Sequence, residues 1–141
     1  MAYDPGNIFA KILRGEVPAH KVYEDDQTLA FMDVMPQSDG HTLIVPKAPA
    51  ENLFDLDPGM ALAVMRTTQW VASGVKRAFH ADGITLMQFN GAVSGQTVFH
   101  FHLHVIPRYA EQPLHSHGRK MAEPRILEEH ARMIRAALAS V

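Results

Sequence analysis

The sequence predicts an antiparallel α+β domain. Three observations carry that expectation. Segments of helical and strand period alternate in the order α-β-β-β-α-β-β-α, and the connections among the strands are short. One long, clean helical stripe separates the two groups of strands. Near residue 100 the stretch SGQTVFHFHLHVIPR, Ser94 to Arg108, alternates histidine with bulky apolar residues at the period of a strand.

Taken in order, Asn7 to Arg14 reads as a short helix, with Asn7 able to cap it and Gly15 supplying the stop. His20 to Glu24 reads as a short strand, and Asp25, Asp26 and Gln27 as a turn. Thr28 to Val34 is a second strand that places Leu29, Phe31 and Asp33 on one face. After the loop Pro36 to Gly40, His41 to Pro46 is a third, strongly apolar strand. Asp57-Pro58 opens the long helix, Asp as N-cap and Pro at the first helical position. Its stripe is Ala61, Val64, Met65, Thr68, Val71, Ala72, Val75, Ala78 and Phe79, with Trp70 beside it as a packing residue; Asp82-Gly83 ends it. Ile84 to Phe89 and Val98 to Ile106 are two further strands. The Gly-rich loop Asn90 to Thr97 joins them as an antiparallel pair. Pro107 limits how far that pairing runs, since it has no N–H for the ladder. Glu123-Pro124 opens a last helix with Ile126, Leu127, Ala131, Ile134 and Leu138 on its buried side.

Composition bounds the function. The chain has 141 residues, 47% hydrophobic and 20% charged, enough for one domain spanning 1–141 with a proper core. A formal charge of −2 offers no basic field for nucleic acid. No stretch approaches the roughly 20 apolar residues that span a bilayer, and no signal peptide is visible. With no cysteine, disulfides and thiolate metal sites are excluded, and a cytoplasmic location is expected. Histidine is the outlier, with nine.

On a strand, His100, His102 and His104 share one face, while Phe99, Phe101, Leu103 and Val105 line the core-facing side. On a helix the same residues would spread over about 400° and could not act together. The row therefore faces solvent, a cleft or a ligand. Three readings stay open. It can be a solvated stripe. It can hold a metal, with His41 contributing from a neighbouring strand, although no carboxylate lies near this strand until Glu111. Or one neutral imidazole can serve as a nucleophile towards phosphorus. The last needs donors for phosphate oxygens and a proton for the leaving group. Gly91 and Gly95 let backbone N–H groups approach an anion, and Ser94, Gln96, Thr97 and Asn90 add side-chain donors.

GQTVFHFHLHVIPR resembles the signature of the histidine triad (HIT) family, His-φ-His-φ-His-φ-φ with φ apolar. IFAKILRGEVPAHKVYEDDQTLAFMDVMPQSDGHTLIVPK, Ile8 to Lys47, is similar to the family's N-terminal half. The similar segments span about 7–108, and 109–141 is a variable tail and helix. The resemblance implies a HIT-like fold, with a five-stranded antiparallel sheet, a long central helix and a C-terminal helix, paired across a homodimer. It implies a nucleotide-binding enzyme that cleaves a nucleoside monophosphate from a leaving group on its α-phosphate.

By motif position the resemblance makes His102 the nucleophile of a nucleotidyl-histidine intermediate. His104 assists at the phosphate, and His100 and His41 support the pair. Asn90, Gly95, Gln96 and Thr97 fall at the phosphate-binding positions. Asp33 falls where the ribose hydroxyls are held. Ile8, Phe9, Ile12, Phe31, Val34 and Leu43 fall around the base. The other histidines, His20, His80, His115, His117 and His130, read as surface residues; the pair at 115 and 117 can also sit over the site. Purine nucleoside phosphoramidates are the leading substrates. Dinucleoside polyphosphates come next, and only these would bring a divalent cation; a binding module with vestigial catalysis is a third possibility. HVIPR looks closer to the dinucleoside-polyphosphate-cleaving (Fhit) branch, and the N-terminal half closer to the Hint (phosphoramidase) branch. Many bacterial relatives carry Cys-φ-Phe-Cys where this chain has Asn7-Ile8-Phe9-Ala10, and a histidine near Pro49, which together complete a zinc site. Neither is present here, so no structural zinc and no metal or other cofactor is expected.

Overall fold

Asn7 starts the first helix, α1 (Ile8–Leu13), because its side-chain oxygen accepts the Ala10 N–H at 2.9 Å and satisfies one of the orphan donors of the first turn. Gly15, at φ 78°, turns the chain out of it. In this computed structural model, which describes residues 2–114 and 120–140, the chain continues through β1 (Lys21–Glu24), β2 (Thr28–Met32), β3 (Thr42–Pro46), α2 (Pro58–Ala78), β4 (Gly83–Met87), a single 3-10 turn (Ala92–Ser94), β5 (Leu103–Arg108) and α3 (Pro124–Ala139). The predicted element order holds. The five strands form one sheet in the order β1-β2-β3-β5-β4, antiparallel at every pairing.

The two faces of the sheet have different work. On one, Ala30, Met32, Ile44, Leu103 and Val105 pack with Val64, Val71 and Val75 of α2 and with Leu127, Ala131 and Ile134 of α3. On the other, Leu29, Phe31, Leu43 and Val45 meet the short α1 through Phe9 and Ile12, with Val17, Ala19 and Val98 at the margin. A six-residue helix cannot cover a five-stranded sheet, so part of that face stays open as a cleft. Register carries the site onto it. Phe31 lies opposite Leu43, Leu43 opposite His104, and His104 opposite Met87, a row that crosses four strands.

Several sequence expectations are corrected. The last strand begins at Leu103 rather than Val98. Residues 98–102 leave the sheet, and the Phe101 N–H donates to the Ala50 carbonyl at 2.8 Å instead of to a neighbouring strand. The strict alternation of histidines and apolar residues therefore fails at its start: Phe101, Leu103 and Val105 join the core, and Phe99 does not. Pro107 does not end the strand. It pairs with Ile84 of β4, and β3 has already run out at Val105, so no partner on that side needs its missing N–H. Met65 and Trp70 are exposed on α2 (44% and 38%), and Ala63 and Thr67 take the buried positions instead. Ile126 is likewise at the surface of α3. His20 Nδ1 is hydrogen-bonded to the Glu128 carboxylate at 3.0 Å, and His130 stands edge-on to Phe79. His115 and His117 lie outside the described residues.

Candidate active site

The three histidines of the motif are held in three different ways. His100 is completely buried. Its Nε2 sits 2.8 Å from the Pro46 carbonyl, which only accepts, so Nε2 carries the proton. Its Nδ1 then accepts from the Tyr3 hydroxyl at 2.5 Å. Burial is the main reason its pKa lies below the usual histidine value; the Pro46 carbonyl works against that shift and His102 adds to it. His100 is thus a neutral residue behind the site, not a member of the cleft wall.

His102 turns its Nδ1 to the backbone carbonyl of His100 at 2.7 Å. Nδ1 must donate there, which leaves the lone pair on Nε2. The ring lines the cleft, with Phe9 edge-on at 4.9 Å between centroids. His104 follows on β5, its ring 5.0 Å from that of His102 and edge-on to Phe89. His41, fully buried, accepts the Gln37 N–H at its Nδ1, so in the neutral ring Nε2 is the donor. That Nε2 lies 2.9 Å from His104 Nδ1. His104 accepts there, and its own proton sits on Nε2. The arrangement presents a nitrogen lone pair on one ring and an N–H on the next, the pair a nucleophile and a proton donor require.

Asp33 stands where β2 leaves the sheet, 5% exposed. Its Oδ1 accepts the Met35 N–H at 2.8 Å and its Oδ2 lies 3.4 Å from His41 Nε2. Donor atoms of Asp33, His41 and His104 lie within 4.8 Å of one another, so these three are the described residues whose placement could hold a metal. Within the group, His41 and His104 share a hydrogen bond, and the Asp33 carboxylate lies 3.4 Å from the one and 3.9 Å from the other.

The cleft has a volume of about 420 Å3. Ile8, Phe9, Ile12, Phe31, Val34, Leu43, Asp33, Thr97, His102 and His104 all line it, so most of the residues singled out from sequence converge. Two do not face it. Gln96 is buried and turned inward: its amide donates to the carbonyls of Glu51 (2.7 Å) and Val98 (3.1 Å), and its oxygen accepts the Gly91 N–H (2.8 Å). Asn90 exchanges two hydrogen bonds with the Gln88 amide and accepts the Leu53 N–H. Both side chains brace the loop. Gly95, at φ 115°, packs against Phe89, and a Cβ there would come within 3.3 Å of that ring.

Sequence reasoning missed Val17, Pro18, Ala19, Met32, Met35, Val98 and Met121, which complete the wall. Val17 to Ala19 follow the glycine stop of α1, and an apolar residue there is a weak signal. Met121 had none. The tail reaches the cleft because the Ala122 N–H donates to the Val34 carbonyl at 2.9 Å, a pairing across 88 residues that no local pattern announces.

A small antiparallel sheet that sets hydrogen-bonded histidines and a buried carboxylate beside an apolar cleft is shared by a family of nucleotide-binding hydrolases and transferases. The HIT domain model matches residues 14–111, and the chain belongs to that family. A Hit-like protein from Bartonella henselae, described as involved in cell-cycle regulation, superposes with a TM-score of 0.91 at 51% identity, covering 96% of this chain and 99% of that one. A Zn-bound histidine triad family protein from Mycobacterium smegmatis follows at a TM-score of 0.82 and 35% identity, covering 96% and 94%. The adenylylsulfatase HINT3 of Arabidopsis thaliana is 37% identical over 120 residues, 81% of this chain and 61% of that protein.

Proposed function

We propose that the protein cleaves a nucleoside monophosphate from a small leaving group on its α-phosphate, with purine nucleoside phosphoramidates as the leading substrates. The observation that carries this reading is the tautomer of His102: Nδ1 is spent on the His100 carbonyl, so the lone pair is on the Nε2 of a ring that lines the cleft. In the proposed reaction Nε2 attacks the α-phosphorus. The bond to the leaving nitrogen breaks, and the amine leaves with a proton from the His104 side. Water then attacks the nucleotidyl-histidine, releasing the nucleoside monophosphate and restoring the imidazole. Thr97, on the cleft wall, supplies the phosphate contact from the loop, with Gly95, Gln96 and Asn90 fixing the loop's shape. Asp33 accepts from the ribose hydroxyls, which suit a carboxylate. Phe9, Ile12, Phe31 and Leu43 form the apolar wall for the base, with Ile8 and Val34 at its mouth. The reaction as drawn uses no metal.

Similarity to an adenylylsulfatase favours a small leaving group over a polyphosphate. Dinucleoside polyphosphates are the second reading, supported by HVIPR after the triad, and would bring a divalent cation with the substrate. We also propose a homodimer joined along β4 and α2. No helix among the described residues is long and apolar enough to cross a membrane.

The deciding experiment follows AMP release from adenosine phosphoramidate by the unmutated protein and by His102→Ala. Turnover is expected to vanish in the variant while AMP still binds. Persisting turnover would overturn the covalent mechanism. An inactive unmutated protein would shift the reading to dinucleoside polyphosphates, and to a binding module if those stay whole too.

A further inference from the structure

The segment before α1 closes on the back of the nucleophile. Asn7 Nδ2 donates to the Tyr3 hydroxyl at 2.9 Å, and that hydroxyl donates to His100 Nδ1 at 2.5 Å. The His100 Nε2–H donates to the Pro46 carbonyl at 2.8 Å, and the His100 carbonyl receives His102 Nδ1–H at 2.7 Å. Every donor in this chain of contacts is fixed by its neighbour. The Asn7 amide nitrogen can only donate, and the Pro46 and His100 carbonyls can only accept, so the direction of all four bonds follows. Tyr3 also stands edge-on to the His100 ring, with centroids 5.6 Å apart. Asn7 has a second hold, donating to the Asp4 carbonyl at 2.8 Å while its oxygen caps α1. Residues 98–102 lie outside the sheet ladder, so the strand register does not place His100. The Phe101 N–H on the Ala50 carbonyl holds the His100–Phe101 peptide, and the ring hydrogen bonds set the His100 side chain against that anchor.

We infer that Tyr3, backed by Asn7, is a positioning residue that fixes the orientation and tautomer of the nucleophilic His102 through His100. The inference rests on the nucleophile assigned above. Tyr3 does not line the cleft and touches no reacting atom. Its hydroxyl completes the hydrogen bonding of a buried imidazole whose backbone carbonyl is the partner of the nucleophile. Without it, His100 Nδ1 is left buried with no donor and the ring can rotate or change tautomer, which strains the His100–Phe101 peptide against its Ala50 anchor and tilts the carbonyl that orients His102.

Nitrogen-15 NMR of the histidine side chains in the full chain is the test, because it reads tautomers whether or not a substrate is known. The unmutated protein should show His100 protonated at Nε2 and His102 at Nδ1. In Tyr3→Phe the His100 Nδ1 resonance should move and His102 should become a mixture of tautomers. Asn7→Ser keeps an oxygen to cap α1 but removes the donor to Tyr3, and should shift the same resonances less. On adenosine phosphoramidate, Tyr3→Phe should lower kcat about tenfold, the rate equivalent of one lost hydrogen bond, with KM unchanged. Unaltered His102 resonances in folded Tyr3→Phe would overturn the inference, as would full kcat. A purely structural Tyr3 would lower Tm and leave both unchanged. An unmutated protein with the expected tautomers but no AMP release would count against the proposed reaction alone, and the NMR comparison would still decide the role of Tyr3.

Discussion

Burial of His100 ties the stability of the molecule to pH. In the unfolded chain this imidazole takes up a proton around the ordinary value of 6.5; in the fold its pKa is lower, chiefly through burial. A depressed histidine means the unfolded state binds the extra proton first. The contribution to stability is therefore complete above about pH 6.5 and is lost as pH falls below it, at no more than about 1.4 kcal/mol per pH unit. Urea unfolding at pH 7 and pH 5 should show the lower value at pH 5. His100→Gln, which offers an amide donor to the Pro46 carbonyl but does not titrate, should flatten that difference. An equal pH slope in the variant would assign the effect to other groups. The same residue shows what side-chain chemistry says that sequence spacing does not. Spacing alone puts three imidazoles on one face, and only the motif resemblance told them apart; in the fold His100 is a support, while the hydrogen bonds of His102 and His104 put the lone pair on one Nε2 and the proton on the other.

At the scale of elements, the entry to β3 depends on Gly40. Its φ of 96° lies where L-residues are strained, and a Cβ there would sit 2.8 Å from the Phe79 ring at the end of α2. The His41 N–H beside it donates to the Ser38 carbonyl, so the turn also sets the start of the strand that carries His41. Gly40→Ala should cost roughly 2 kcal/mol or more of unfolding free energy, from the left-handed backbone and the overpacked ring together. Denaturant unfolding measures it, and a cost below about 0.5 kcal/mol, the range of an ordinary surface change, would contradict the reading. Most elements were legible beforehand because each carries its own local signal. Asp57-Pro58 marks the start of α2, Glu123-Pro124 that of α3, and Asn7 the cap of α1. The strand ends were not. Val98 to His102 has the composition of a strand, but Gln96 and the Ala50 carbonyl hold that segment to the chain before α2, and such a long-range bond leaves no period. The cleft was legible where register and family motif agree, as at Phe31, Leu43 and His104, and illegible where the tail brings in Met121.

At the scale of the whole molecule, the sheet has two edges and only one is covered. β1 lies under α3, whose Arg135 donates to the Lys21 carbonyl. β4 is the other edge, half-buried along its length, with Leu86 47% exposed. An unprotected edge offers a row of unpaired backbone groups to a second chain. The outer face of α2, which connects β3 to β4, adds Leu62 at 68% exposure and Met65 at 44%. Leu62 and Met65 are three residues apart and adjoin on the helix surface, so they form a patch rather than scattered singles. Pairing through β4 would satisfy the edge and bring these helices from two copies together, as the proposed homodimer requires. The double substitution Leu62→Glu with Met65→Glu places two charges in that contact. Because both side chains are largely exposed within one copy, the monomer fold should lose little. Sedimentation velocity at micromolar concentration should then show a dimer for the unmutated protein and a monomer for the variant, with circular dichroism unchanged. An unmutated protein that sediments as a monomer, or a variant that remains a dimer, would contradict this interface.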